Sequence, residues 1–584
     1  MNFYLLLGGA LFISWSYAQV QTTKMRSCLI GEILNQYHQS HNSAGFRAES
    51  ELIRRPSIAG MKSFQSPNGI FTFHYTTERS SPHAISPTAT RLANIPDYIL
   101  TMSDIFTQVY EEFQKLGYAR PPSDGSAGGS SSYDVYVINI ETHLNREGNR
   151  SIYGLCIPEQ TIGDNPFTTA REIKSTTSWM AMQNTYSWVR NSRLSTNDLI
   201  RVTATHEFFH AIQFGYSSQN QNDLYFIEGT AVAIEEQLFP TIEDYFQYLN
   251  SFYPNINGVS LFTNGNTDTR FPFHHYGVWL YFKRLSEIYG NNTILQILEE
   301  FRTENKPAIQ HIKKVLKNKG SSFEKSLEEF ALANALQFDF FFNSTNTFSR
   351  ARDYYNYYTN HCLRRSNANV ICANYSIFTT LEYNSSSVTW RTGQQLDTLW
   401  MPASADFYKI RVDTVRNKEF FITVTPYEAN RQMSAFMLLN TKNTYQYLQA
   451  DFSSRYYYTF HIPQSSNFED YTLVVLRHDA DSSVLSSRGY QIHVGSSILK
   501  IDSNQSEKIF TVFPNPTGDK LLIQFDGEPI EFIRIYSVDG TILKQISWES
   551  DSLLEICVSD LSSGTYLISL HSHSHRYIKR FTKI

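Results

Sequence analysis

Cysteine is scarce. Five in 584 residues are too few for a disulfide scaffold, so the fold must rest on buried apolar surface. Charge is sparse as well: Asp, Glu, Lys and Arg make up 18% of the chain, with a net charge of −5. That balance excludes the basic footprint of a nucleic-acid binder. Long apolar runs are missing beyond the first 18 residues, which leaves nothing to span a bilayer. No Gly-x-Ser-x-Gly elbow is present, which argues against a serine hydrolase of that design.

Aromatic residues, by contrast, are abundant. Tyr (37) and Phe (41) dominate a 15% aromatic share. With many Ser, Thr and Asn, this suits β-structure and an exported surface. The length allows three or four domains. Residues 1–18 read as a signal peptide: an apolar core from Tyr4 to Trp15, then Ser16-Tyr17-Ala18 as a small-x-small cleavage site. No Lys or Arg precedes that core, and a membrane anchor is the competing reading. Cys362 and Cys372, with nine residues between them, are expected to bridge after export. Cys28, Cys156 and Cys557 have no obvious partner, and no lipobox-like run precedes Cys28.

Residues 19–65 are a polar N-terminal arm or propeptide. Arg54-Arg55 within it offers a processing site, with ordinary solvated surface as the alternative. Ile70 to Tyr75 and Tyr133 to Ile140 read as strands. Between them, Pro96 opens a helix with Ile99, Met102, Phe106, Val109, Phe113 and Leu116 on one face and Gly117 as its stop. Ser178 to Gln183 is a weaker strand. Helical patterns recur to about residue 340, among them Ile294 to Phe301 and Phe323 to Leu336. From residue 376 to 500 the pattern changes to short alternating runs without a helix, as expected of a β-sandwich. Its role is substrate binding, glycan binding or spacing. A polar linker, 501–508, follows.

The chemistry concentrates at His206-Glu207-Phe208-Phe209-His210. Residues four apart on a helix share a face, so His206 and His210 point at one spot, as in a two-histidine zinc site with Glu207 beside it. Leu199, Val202, Phe209 and Ile212 supply the helical spacing. Ser195 with Asp198 resembles a capping box, and Gly215 is the expected end. A second helix opens with Asp223-Leu-Tyr-Phe-Ile-Glu228-Gly-Thr-Ala. Glu228 is placed to be a third, oxygen ligand, leaving one position open as in catalytic sites. Glu235 and Glu236, two turns further, compete for that place but fit a solvated or supporting role. The competing reading of the motif is a buried helix whose histidines bond to their neighbours.

This pattern resembles the gluzincin metallopeptidases. The resemblance implies zinc held by His206, His210 and Glu228, with Glu207 as general base. Seventeen residues separate His210 from Glu228, where the aminopeptidase branch usually has one more. A closer likeness is to a family of secreted bacterial gluzincins. It is carried by Ser66 to Tyr75, Ile95 to Tyr98, Leu116 to Gly125 and His206 to Tyr216, and spans residues 66 to 290. Arg91-Leu-Ala-Asn94 stands where that family often has an Asp/Asn/Gly-rich run, so no calcium site is carried over. The resemblance implies a substrate-pairing edge strand, for which Trp179 to Gln183 is the candidate. It also implies an oxyanion-stabilising Tyr or His. Tyr276 is the first choice and His275 the second, against the plainer reading that both only pack a helix start.

At the C-terminus, Val512-Phe-Pro-Asn-Pro-Thr-Gly-Asp519, Ile533 to Gly540, Leu561 to Ser569 and the basic end Lys579 to Lys583 resemble the sorting domain of type IX secretion in Bacteroidota. His571, His573 and His575 alternate there, as on a solvated strand face, with a metal site as the competing reading.

The expected architecture is α+β. A signal peptide (1–18) and arm (19–65) precede a gluzincin-like catalytic domain (66–375) with a mixed sheet and a helical lobe. A β-sandwich (376–500) and a small β-sandwich sorting domain (510–584) follow. The expected function is a secreted zinc metalloendopeptidase acting on protein or peptide substrates and exported by the type IX machinery. The alternative is a non-catalytic cell-surface binding protein that keeps the metallopeptidase fold.

Overall fold

The computed structural model describes residues 25–42, 54–146, 151–189, 193–218, 221–304 and 306–365, and most of 376–495 and 510–584. The leader, the linker, Cys372, the side chain of Cys362, His573 and His575 lie outside the described residues.

After helix α1 (Ile30–Asn42), five strands form one mixed sheet: β1 (Lys62–Gln65), β2 (Phe71–Tyr75), β3 (Tyr133–Ile138), β4 (Gly154–Gly163) and β5 (Ser175–Gln183). Their order is β1-β2-β3-β5-β4, with β2, β3 and β5 parallel and both outer strands antiparallel. Alternation assigns the two faces. Phe71, Phe73, Val135, Val137, Met180 and Met182 join the main core with the helices. Tyr136, Ile138, Leu155, Ile157, Trp179 and Ala181 form a second cluster that Ile33 of α1 completes.

Helix α2 (Asp97–Lys115) starts after Pro96 and buries Ile99, Met102, Phe106, Val109 and Phe113 completely, each contributing about 1.5–3 kcal/mol of apolar burial. A short α3 (Ile140–His143) follows β3. The central helix, α4 (Thr196–Tyr216), opens on the expected capping box. Ser195 Oγ accepts from the Asp198 amide at 3.2 Å, and the Asp198 carboxylate accepts from the Ser195 amide at 3.0 Å. From Val202 onward α4 is buried all round, so its surroundings rather than an amphipathic stripe hold it. It runs one residue past the expected Gly215 stop, because Gly215 serves a close approach instead: a Cβ there would lie 3.2 Å from Asn165.

The helical lobe comprises α5 (Leu224–Leu238), α6 (Leu249–Phe252), α7 (His274–Gly277), α8 (Trp279–Tyr289), α9 (Thr293–Glu300), α10 (Ala308–Asn318), α11 (Phe323–Phe338) and α12 (Ala351–Arg365).

Two expectations change. Strand β5, containing Trp179 to Gln183, is not an edge. It lies between β3 and β4, and all nine of its residues are buried. The edge beside α4 is β4, whose Pro158 is tolerated because an edge strand can forgo a ladder donor. Nor is Arg55 solvated: its guanidinium pairs with Asp124, with Asp134 at 2.5 Å and with Glu159 at 2.6 Å, tying the end of the arm to β3 and β4.

Beyond residue 376, two five-stranded sheets face each other. One runs Tyr445–Gln449, Met433–Asn440, Asp470–Arg477, Ser404–Val412, Thr379–Tyr383. The other runs Asp451–Ser454, Tyr457–Ile462, Phe420–Pro426, Tyr490–Gly495, Val388–Arg391. Leu381, Ile410, Met437 and Leu473 meet Ile422, Val424, Phe460 and Ile492 between them. The outer face of the first sheet, with Phe407, Phe436, Leu438 and Val474, belongs to the helical lobe's core. No large hydrophobic side chain is exposed among the described residues of this sandwich. The C-terminal strands form a three-stranded and a four-stranded sheet around Leu521, Ile523, Ile533, Ile535, Ile568 and Phe581.

Candidate functional site

Helices α4 and α5 pack together and bring His206, His210 and Glu228 to one point. Glu228 Oε2 lies 3.0 Å from His206 Nε2 and 3.6 Å from His210 Nε2. Two atoms each about 2.1 Å from a tetrahedral zinc would be about 3.4 Å apart, so the observed pair brackets the spacing a shared ion requires. All three side chains are buried.

The other ring nitrogens are held from behind. His206 Nδ1 meets Glu235 Oε1 at 2.7 Å, and His210 Nδ1 meets Gln213 Oε1 at 2.8 Å. Gln213 is oriented in turn by donating to the Ile227 carbonyl at 3.1 Å and Thr230 Oγ1 at 2.9 Å. Acceptors at both Nδ1 atoms hold a proton there and aim both Nε2 atoms at the centre, so that loss of an Nε2 proton leaves the tautomer a metal site needs. His210 Nε2 is buried without a hydrogen-bond partner, a cost that coordination would remove. The donor set of two imidazoles and a carboxylate therefore fits zinc.

Electrostatics agree. Burial alone would lower His206, but its contacts with Glu228 and Glu235 push it up to about 9. A metal must displace that proton to bind. Burial would raise Glu228, yet the hydrogen bond from His206 and the charges of both histidines hold it well below the carboxylate range. Burial raises Glu207, against the opposing pull of the two histidines. Gly154, at the start of β4, lets this strand approach α4: a Cβ there would stand 2.8 Å from Glu207 Cγ and 2.6 Å from Thr203 Cγ2.

Glu235 and Glu236 part company, as two neighbours on a helix must. Glu235 backs His206, whereas Glu236 pairs with Lys283 at 2.8 Å. Gly229 does not serve a close approach of α5 to α4, as its place beside Glu228 suggests. Its open side faces Phe282 at 3.0 Å and the His275 carbonyl.

Tyr276 is at the site. Its ring lies 6.3 Å from that of His206, at 25°, and stacks on Tyr248. Its hydroxyl donates to the Cys28 carbonyl at 3.0 Å and accepts from the Cys28 amide at 2.9 Å. His275 accepts from the Gly265 amide at 3.1 Å, and burial lowers it to about 4.

The residue that sequence reasoning left without a role is Cys28. Its Sγ lies within 4.8 Å of the ligand atoms of His206, His210 and Glu228, and 3.6 Å from Glu207 Oε2. Arg26, two residues earlier, reaches Glu235 and pairs with Asp244 at 3.0 Å. No local pattern signals either contact, because each spans about two hundred residues of sequence.

Comparison with known proteins bears on the C-terminal end. Residues 511–583 match the family "Secretion system C-terminal sorting domain". The chain thus carries the export signal of a Bacteroidota-type secreted protein, addressed through the type IX machinery to the cell surface or the medium. No helix among the described residues is long and apolar enough to cross a membrane. A search of curated proteins finds no match. Among solved structures, "Biofilm associated protein - BSP domain" is 8% identical over 30% of this chain and 46% of that one, at a TM-score of 0.12. "Apo structure of Bacteroides uniformis beta-glucuronidase 3" is 12% identical over 28% and 25%, at 0.14. This chain spans less than half the length of either, and at these scores neither likeness bears on fold or activity.

Deleting residues 510–584 is expected to abolish release while the remainder accumulates, folded, in the periplasm. Fractionation and immunoblotting check this; normal release of the truncated chain would contradict it.

Proposed function

We propose that this protein is a secreted zinc metalloendopeptidase of gluzincin type. The observation that carries the reading is the convergence of His206 Nε2, His210 Nε2 and Glu228 Oε2, each backed from behind or drawn by charge, with Glu207 beside the two histidines on α4. His206, His210 and Glu228 would hold the ion. When bound, zinc acts as a Lewis acid toward the scissile carbonyl and lowers the pKa of water at its open position.

The chain's own residues supply the rest. Glu207, made more basic by burial, takes the proton of the attacking water and passes it to the leaving amine. The Tyr276 hydroxyl, which donates to a peptide carbonyl at this spot, stabilises the oxyanion. Strand β4 offers the free edge along which an extended peptide can pair.

A broad peptide-library digest with and without chelator tests the reading, using the full chain and its Cys28→Ser variant. Cleavage that chelation stops and zinc restores is expected. Zinc retained by both proteins with no peptide cut by either would favour a non-catalytic surface binding protein instead.

A further inference from the structure

The described part of the arm does not lie beside the candidate site; it enters it. The Ser27 amide donates to the Ser151 carbonyl at 2.9 Å, and Ser27 bridges Ile152 in parallel, just before edge strand β4. On the other side, the Arg26 amide donates to Gln247 Oε1 at 2.8 Å, and its carbonyl accepts from the Tyr248 hydroxyl at 2.9 Å. The Arg26 guanidinium is buried between Glu235 and Asp244. Next, Tyr276 grips both backbone groups of Cys28. Helix α1 then leaves across the sheet, with Ile30 and Leu34 in the main core and Ile33 in the second cluster.

These contacts fix the Cys28 thiol where it can act. Sγ sits among His206, His210 and Glu228, the only such grouping of potential metal ligands among the described residues. Thiolate sulfur is a strong zinc donor, and four-coordinate sites without an open position are closed to chemistry. His210 Nε2, buried and without a hydrogen-bond partner, points to a ligand at the same centre. Sγ also lies 3.6 Å from Glu207 Oε2, the space an attacking water would need. The Cys28 carbonyl meanwhile occupies the Tyr276 hydroxyl.

We propose that Cys28 is the fourth zinc ligand of a latent enzyme, and that residues 25–42 are a built-in plug whose removal opens the site. The proposal rests on the zinc reading above. In binding, Cys28 releases its thiol proton to solvent as the sulfur–zinc bond forms, and it fills the position that water takes once the arm has left. One segment then blocks metal, base and oxyanion donor together.

Cobalt(II) in place of zinc tests this on the full chain. A thiolate ligand adds an intense near-ultraviolet charge-transfer band that nitrogen and oxygen ligands do not give. The expected result is that band in the wild type and its loss in Cys28→Ser and Cys28→Ala, each still binding one cobalt. Peptide hydrolysis by the zinc-loaded variants should rise about tenfold or more over the wild type, a barrier difference of about 1.4 kcal/mol. Cobalt bound by all three proteins with identical spectra and no such band would overturn the plug while leaving the metal site standing. Failure of the wild type to bind cobalt would overturn the metal site and the plug with it.

Discussion

Glu207→Gln is expected to lower peptide hydrolysis by about 10²–10⁴-fold while zinc stays bound. Gln is nearly isosteric with Glu, so the packing against Gly154 is kept. It cannot accept a proton, so the attacking water and the leaving amine must exchange theirs with solvent instead. The side chain is not one of the converging ligands, so metal content should match the parent protein. The comparison is made in a Cys28→Ser background, where the thiol no longer stands beside the base. Single-turnover rates with zinc content measured on the same samples decide it. Turnover equal to that of the parent would remove Glu207 from the mechanism.

The second large effect concerns Glu228, and it comes with an order. Replacing a residue that only supports a metal ligand costs about 10–100-fold in affinity. Glu235→Ala, which leaves His206 Nδ1 without its carboxylate, belongs in that range. Glu228→Ala removes one of the three converging atoms and should cost more than about 100-fold. Glu236→Ala should leave zinc affinity unchanged, because Glu236 pairs with Lys283 rather than with either histidine. It should instead lower the melting temperature, since Lys283 loses a buried partner. Competition with a chromophoric chelator measures all three. Glu235→Ala weakening zinc more than Glu228→Ala, or no difference between Glu228→Ala and Glu236→Ala, would overturn the ligand assignment.

Local patterns carried much of this into the sequence. The capping box at Ser195, the apolar face of α2 and the four-residue spacing of the histidines are short-range features that a helix fixes by itself. Glu228 was legible because α5 follows α4 after a short connection. Strand β4 was not, since Pro158 and the polar run after it lack the alternation of a half-buried strand, while β5, shielded on both faces, drew the edge assignment instead. The roles of Arg26 and Cys28 depend on how the arm threads between β4 and the helical lobe, and nothing within a window of neighbouring residues encodes that path. The supporting role of Glu235 was one of two readings; burial beside His206 decides between them.

The most direct test of the account is anomalous diffraction at the zinc edge from crystals of the full chain grown with zinc. The account predicts one strong peak about 2.0–2.2 Å from His206 Nε2, His210 Nε2 and a Glu228 carboxylate oxygen. A chain folded with these side chains converging as described but showing no peak there, or with zinc held by other residues, would contradict it.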